Sequence, residues 1–547
     1  MMKRFLAVFS VLAILLAGCK DTPQVPTPEP EPDPDPQEEP QKPSMVAPSN
    51  LQVEIVDGLK AVLTWENEST DYDGVELQKA GPNGKYKMIG NIPAGTLSYE
   101  DVAFTENGEY TYRLCSFKGN TYSDYASVKF TIDAIPDPTP LARIDKVATA
   151  PNMIAVYYTI TEDLGNYAEN GIVWSSTSTA PELGTDETFT YWKKRRKDGV
   201  GVGVIINPAG PVNLRVYAKS TVDGSIGYTE TVTVSPEAEP TPYNISYTDI
   251  TPADLPSEIK VYSTSTTLNG QPMNIWYAIA DISTGNVVLR ALCPNGYAKP
   301  SQWAKTHVTT PYVFTNGGYF YNNASLSYVL DQGVQKADND SFLSRKNSYY
   351  ASRGVFGVTA SGESSVCWRF GRSDFGGPYF YDTPIPQIDG AAQLKPSATF
   401  PSPALNPGYY SAIGGGPVLV KDGKTRINFL SEDESLSDDD KVYLSNFELF
   451  YTDIYNRSTR QPRTAIGRTA DGKIVLMVVD GRTSVSKGVV LTDLARLMTG
   501  VGCVDVLNLD GGGSSVFCAG TDLQILNHPS GGSERSVISM VGFAKPE

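Results

Sequence analysis

KIVLMVVDGRTSVSKGVVLTDLARLMTGVGCVDVLNLDGGGSS, residues 473–515, decides how the C-terminal part of the chain folds. One apolar run stops at Asp480-Gly481, and a second stops at Asp510, after which three glycines give up every side chain. Between the runs, Leu491, Leu494, Ala495 and Met498 recur at helical spacing on one face. Thr492 or Lys487-Gly488 lies near the start of that helix, and Gly500 is a natural stop. The pattern predicts strand, helix, strand, and such a crossover makes the two strands parallel and right-handed. Parallel strands share a carboxyl rim, so Asp480 and Asp510 are expected on one edge, where crevices of such sheets take ligands. Gly511, Gly512 and Gly513 let backbone come close to a ligand and turn N–H groups toward an anion. A tight turn with a solvated aspartate would explain either Asp-Gly alone; it explains both, at matching strand ends, less well.

Outward from this stretch, the 547 residues are too many for one hydrophobic core, so several domains are expected. The 61 acidic against 45 basic residues give a net charge of −16, which argues against nucleic acid or an anionic membrane surface as a partner. Only 2 histidines make His-based zinc sites improbable. Residues 1–19 have a basic start, an apolar run too short for a comfortable membrane span, and LAGC; they resemble a bacterial lipoprotein signal cleaved before Cys19, whose thiol takes the lipid. Residues 20–44 read as an acidic, proline-rich tether, and Lys20-Asp21 resembles a surface-export signal. The remaining cysteines, Cys115, Cys293, Cys367, Cys503 and Cys518, are odd in number and scattered, which is no disulfide framework.

Residues 45–135 alternate in short strands around Trp65, Tyr110, Tyr112 and Leu114 and resemble a fibronectin type III sandwich. Residues 141–235 read as a second sandwich, fibronectin- or immunoglobulin-like, with Trp174 and VNLRVYAKS as its clearest signals. Core packing accounts for their aromatics better than sugar binding does, so both are assigned to spacing and presentation. From residue 241 to 547, strand-like segments alternate with glycine-rich breaks. The fold class expected is two all-β sandwiches followed by an α+β, mixed-sheet domain.

The glycine-rich stretch is no nucleotide P-loop, since no lysine follows it, and no G-x-S-x-G elbow. A serine triad would need His307 or His528, and neither has a telling context. What remains is carboxylate, arginine, asparagine and backbone-amide chemistry, suited to sugars and phosphate esters.

Six motifs then make the reading specific: TNGGYF (315–320), AIGGGPVLV (412–420), PRTAIGR (462–468), VVDGR (478–482), LNLDGGGSS (507–515) and ERSV (534–537). In this order they resemble the phosphodiester glycosidase family, over roughly residues 250–545. The segments around 330–410 and 430–460 lie outside the resemblance, and Tyr319 stands where the family commonly has Phe. The resemblance implies hydrolysis of a sugar-1-phosphodiester, of the N-acetylglucosamine-1-phosphate type, here at a bacterial cell envelope. Its leaving group is already acidic, so phosphate recognition and a positioned nucleophile matter more than a strong general acid. Asp510 is expected as base or nucleophile with Asp480 or Glu534 as partner. Arg463, Arg482 and Arg535 are expected to clamp phosphate, with Lys487 as a possible helper. Asn316, Gly317, Gly318, Tyr319, Thr464, Asn508, Gly511, Gly512, Gly513, Ser514 and Ser515 are expected to line the substrate. No cofactor is required; adjacent carboxylates and phosphate would admit Ca²⁺ or Mg²⁺ without demanding it, and the acidic run Asp438–Asp440 reads better as a solvated segment than as a metal site. Two rival readings stand beside it: a non-catalytic glycan-binding module, which would need shape and aromatics more than the paired acids and is disfavoured by them, and cleavage at phosphorus, which keeps the same residues and which labelled water would distinguish.

Overall fold

The protein is described here by a computed structural model, which covers residues 45–133, 135, 142–160, 167–190, 200–220, 223–339, 342–344, 348–386, 395–430, 441, 444, 445, 448 and 459–547. The expected signal, lipidation site Cys19, tether and acidic run at 438–440 lie outside the described residues. The chain divides into two compact units, Met1–Asp137 and Pro138–Glu547. Strands make up 49% and helix 6% of the structure, so the α+β expectation for the C-terminal region gives way to a predominantly β architecture. All five described cysteines are free.

The first unit is a sandwich. Ser49–Val56, Lys60–Glu66 and Ser98–Asp101 form one sheet, and Tyr86–Pro93, Gly74–Ala80 and Gly108–Lys118 form the other, with Ala126–Ile132 on its edge. This is the strand pairing of a fibronectin type III-like domain. Period-two alternation puts Leu63, Trp65, Tyr112 and Leu114 into its core, as the sequence pattern requires.

The second unit begins with another two-sheet sandwich, built on Met153–Ile160 and Val212–Ser220. Its core includes Ile154, Val156, Leu214 and Val216, and also Leu444, with Leu430 packed against it. Those two leucines come from the excursion that follows the strand Lys424–Thr425. The Asn152 amide donates to the Thr425 carbonyl, and the Thr425 N–H donates to Glu239 Oε2 at 3.0 Å. The second sandwich is therefore fastened to the domain behind it and is more than the spacer its sequence suggested.

That domain packs three sheets around a shared core containing Val261, Leu289, Val313, Phe356, Ile413, Leu476, Leu507 and Phe543. Its largest sheet has the order Thr248–Asp249, Ile259–Leu268, Gln271–Ala280, Ile474–Val479, Arg463–Thr469, Cys503–Asn508, Val418–Lys421, Lys424–Thr425. In the strand Ile474–Val479 the residues Ile474, Leu476 and Val478 face the shared core. Val475, Met477 and Val479 face the opposite layer, where Leu491, Leu494, Ala495 and Met498 of the helix Leu491–Gly500 pack. Both faces are covered, which is why the strand reads as an unbroken apolar run. Burial of this kind makes truncation of Leu494 to Ala cost about 2–5 kcal/mol.

Strand, helix, strand is found, but the two strands are not neighbours. Arg463–Thr469 lies between them and is antiparallel to each, so they run in one direction with a strand interposed. Every described pairing is antiparallel. The reason is edge availability: Ile474–Val479 pairs on one side with its hairpin partner Arg463–Thr469 and on the other with Gln271–Ala280. The strand after the helix takes the open edge of Arg463–Thr469 instead.

Candidate functional site

The common direction of the two strands brings both Asp-Gly ends to one rim, with the start of Arg463–Thr469 wedged between them. Arg463 is paired with Val479, and Ala465 with Asn508. Gly481 and Gly511 are glycine for the same local reason. A Cβ at Gly481 would stand 2.6 Å from Pro462 N, and one at Gly511 would stand 2.7 Å from Pro462 O. The two Asp-Gly dipeptides thus enclose one Pro462-Arg463 step.

Asp510 is half-buried at the end of this rim, and its Oδ1 accepts the Gly511 N–H at 2.8 Å. Desolvation pushes its carboxyl up to about 6, against the opposing effects of the Ser514 hydroxyl, the Gly511 N–H and the Arg535 charge. Its backbone is held from behind. Its N–H donates to Gly317 O at 3.1 Å, and its carbonyl accepts Asn316 Nδ2 at 2.6 Å. Asn316 Oδ1 in turn accepts the Thr464 hydroxyl at 2.8 Å and the Val516 N–H at 3.3 Å, and Thr464 reaches Ser515 Oγ at 3.2 Å. Asn316, Thr464 and Ser515 are buried and bonded to one another. Together with Gly317, whose N–H donates to Ser539 O at 2.8 Å, and the buried Gly318, they form a scaffold under Asp510.

Gly511 donates to Asp510, Gly512 to Pro462 O, Ser514 to Gly511 O and Ser515 to Gly512 O, so most N–H groups of the glycine turn are spent within the protein. Gly512 has φ +61°, the left-handed region that glycine enters without penalty. A Cβ there would also meet the Arg482 guanidinium at 3.0 Å. Arg482 itself has φ +61°, a sparsely populated conformation for a residue with a Cβ. Its Nε donates to Gln461 Oε1 at 2.7 Å, which fixes the guanidinium beside the turn. On the other side, a Cβ at Gly513 would lie 3.7 Å from Arg535 Nη1. Among the described residues neither exposed arginine is ion-paired. Positive charge at the turn therefore comes from Arg482 and Arg535 more than from backbone dipoles. Lys487 is exposed, with its N–H bonded to Pro272 O at 2.9 Å.

Arg463, by contrast, is buried. Its Nε and Nη2 donate to the Val489 and Thr459 carbonyls at 3.1 and 3.0 Å, and burial pulls its pKa down to about 10. It belongs to the wall behind the rim. Tyr319 closes the wall elsewhere, its hydroxyl donating to Gly416 O at 3.1 Å and accepting Asn508 Nδ2 at 2.8 Å. The tyrosine hydroxyl thus has work that a phenylalanine leaves undone. Asn508 Nδ2 also donates to Gly416 O at 2.9 Å, while its buried Oδ1 has no hydrogen-bond partner among the described residues.

Asp480 and Glu534 differ from Asp510. Asp480 is buried; its Oδ1 accepts Asn527 Nδ2 at 2.8 Å, its Oδ2 accepts the His528 N–H at 2.9 Å, and His528 Nδ1 lies 3.3 Å from Oδ2. Burial raises its pKa, opposed by Asn527 and His528. Asn527 also binds the turn, through Ser515 O at 3.3 Å. Both oxygens of Glu534 are taken by Ser301, N–H at 2.7 Å and hydroxyl at 2.6 Å, at the start of the helix Pro300–His307. A carboxylate accepting from a first-turn N–H stabilises that helix end, so Glu534 holds the last segment in place.

His528, Asn527, Gln461 and Ser301 were not singled out from sequence, and His528 was set aside. Asp480 and His528 are 48 positions apart with no periodicity between them, so only a three-dimensional contact reveals the pair. Among the described residues no three His, Cys, Asp or Glu side chains group closely enough to hold a metal.

A family model described as phosphodiester glycosidase matches residues 310–544. The SPbeta prophage-derived uncharacterized protein YomE of Bacillus subtilis is 36% identical over 90 residues, 16% of this chain and 14% of that protein. The N-acetylglucosamine-1-phosphodiester alpha-N-acetylglucosaminidase of Homo sapiens is 31% identical over 109 residues, 20% of this chain and 19% of that protein. The chain thus spans about a fifth or less of the length of these curated relatives. Among solved structures, the auto-inhibited catalytic domain of the zebrafish enzyme of the same name aligns with 18% identity and a TM-score of 0.35, covering 55% of this chain and 89% of that one. Residues 310–544, the part that matches the phosphodiester glycosidase model, contain both Asp-Gly strand ends, Arg463 and the glycine turn.

Proposed function

We propose that the chain hydrolyses a sugar-1-phosphodiester of the N-acetylglucosamine-1-phosphate type at the bond between the anomeric carbon and the phosphate oxygen. The observation that carries this reading is a half-buried carboxylate, Asp510, beside a glycine turn flanked by two exposed arginines, Arg482 and Arg535, that form no ion pair among the described residues. The diester carries one negative charge, and the arginines bind its phosphate by charge-assisted hydrogen bonds. Asp510 delivers the incoming oxygen to the anomeric carbon, its own or that of a water it deprotonates. The bond to the phosphate oxygen breaks and its electron pair stays on the phosphate, which leaves as a monoester. The arginines stabilise the added charge, so no strongly basic leaving group needs a proton. The reading assigns the chemistry to these side chains and invokes no cofactor; Ca²⁺ or Mg²⁺ has no assigned role in it.

The resemblance of residues 1–19 to a lipoprotein signal supports an envelope location, with the chain held on the membrane by a lipid at Cys19. Cys19→Ser should release the protein from the membrane fraction, and retention of that variant there would remove the anchor from the proposal.

The test of the activity is hydrolysis of N-acetylglucosamine-1-phosphomethyl by the mature chain in ¹⁸O-water. Label in the sugar supports cleavage at the anomeric carbon. Label in the phosphate moves the reaction to phosphorus, and binding without turnover leaves a glycan-binding module.

A further inference from the structure

Glu448 is a buried carboxylate that the chemistry at Asp510 does not use. Its Oε1 accepts the Val418 N–H at 3.0 Å. The strand ladder slips at that point: Val418 is paired with Leu507 and Val420 with Val506, which leaves Leu419 as the extra residue of a bulge. Directly before Val418, the Gly416-Pro417 corner clasps the strand that leads to Asp510. The Gly416 N–H donates to Asn508 O at 2.8 Å, and the Asn508 N–H donates to Pro417 O at 3.2 Å. Burial pushes the Glu448 carboxyl up, opposed first by the charge of Arg426. Burying a carboxylate costs free energy that a neutral acceptor would not.

Four positions before Glu448, Leu444 is buried in the core of the second sandwich. The Ser445 N–H donates to Lys441 O at 2.9 Å and the Glu448 N–H to Ser445 O at 3.2 Å, so a hydrogen-bonded turn joins Leu444 to Glu448. One end of this turn is sunk in the sandwich and the other against the sheet that carries the site. The far end of the hairpin formed by Val418–Lys421 and Lys424–Thr425 is held as well, through Asn152 and Glu239 on the backbone of Thr425. We propose that Leu444 and Glu448 form a rivet by which the second sandwich sets the Gly416–Val418 wall, and that Glu448 is thereby a positioning residue for Asp510. Loosening either end frees the Val418 N–H and lets the corner drift from Asn508, two residues before Asp510. The effect on catalysis rests on the proposed hydrolysis; the hold on the wall does not.

Hydrogen exchange of the mature chain, read by mass spectrometry on peptides spanning 412–420 and 503–510, tests the rivet. Glu448→Ala removes the acceptor, Glu448→Gln keeps an amide oxygen for the Val418 N–H, and Leu444→Ala loosens the sandwich end. Exchange in 412–420 should be about tenfold faster in both alanine variants, the scale of one lost hydrogen bond, and near wild type in Glu448→Gln. Exchange in 311–316 should not change. Should Leu444→Ala unfold in thermal denaturation, Leu444→Val carries the same test. Faster exchange confined to the sandwich in the Leu444 variant, or an unchanged 412–420 in Glu448→Ala, overturns the rivet. With N-acetylglucosamine-1-phosphomethyl, kcat should fall about tenfold in both alanine variants at little-changed KM and recover in Glu448→Gln. Faster exchange at the wall with unchanged kcat overturns the positioning of Asp510. No turnover by the wild type overturns the hydrolysis, and exchange then decides the rivet by itself.

Discussion

Two strand ends in this protein carry the same Asp-Gly dipeptide, point the same way and flank the same proline, yet their carboxylates are put to different use. Asp480 is sunk in the fold with both oxygens bonded to the loop at Asn527 and His528. Asp510 is half-buried, bonded to its own turn and within the field of Arg535. The difference lies in what covers each end. A later loop closes over the first; a turn of glycines, which has no side chains to close with, leaves the second accessible. A motif therefore marks the rim, and its surroundings decide which acid stays accessible and which one braces.

The sharpest way to break this contrast is to neutralise each acid in turn. Asp510→Asn should lower kcat by about a thousandfold or more, the scale of losing a reacting group, with no loss of Tm. Asp480→Ala should instead strip the Asn527 and His528 donors of their acceptor, costing about 3 kcal/mol or more of stability in denaturant titration. If Asp480→Asn lost as much kcat as Asp510→Asn at unchanged Tm, the division of labour would be wrong.

Next in size is the charge at the turn. Arg482→Ala and Arg535→Ala should each reduce kcat/KM by about 10- to 100-fold, while Arg535→Lys should recover only part, because lysine offers a point charge without the bidentate fork. Full activity in both alanine variants would detach the phosphate from this turn.

The pH dependence sharpens the contrast further. If Asp510 acts ionised, the acid limb of kcat/KM should have its midpoint near 6, the value to which burial pushes it. The folded state holds this proton longer than the unfolded chain, so the group's contribution to stability falls as pH rises from about 4 through about 6, by at most about 3 kcal/mol. Asp510→Asn should remove that slope, so that the variant gains stability relative to wild type above pH 6. A wild-type unfolding free energy that rises across this window because of Asp510 would contradict its environment. The smallest expected effect is that of EDTA, which should change the rate by less than about twofold; loss of activity restored by Ca²⁺ or Mg²⁺ would place a cation in the reaction.

The sequence by itself determined the elements around the rim. Continuous apolar runs, a helix with Leu491, Leu494, Ala495 and Met498 on one side, and charges at both strand ends are local signals, and local signals survive in a linear chain. The alternation in residues 45–132 likewise carried a sandwich with Trp65 and Tyr112 inside. Only the tertiary structure decided which strand sits beside which. Its hairpin partner and the distant strand Gln271–Ala280 filled both edges of Ile474–Val479, and the next strand had to take the far side of Arg463–Thr469. It also decided the roles of like residues: Asp480 against Asp510, a buried Arg463 against an exposed Arg482, and Glu534 spent on Ser301. The physical reason is that periodicity reports which face of an element is buried, whereas hydrogen-bond partners, desolvation and the reach of a charge depend on residues tens to hundreds of positions away that only folding brings into contact.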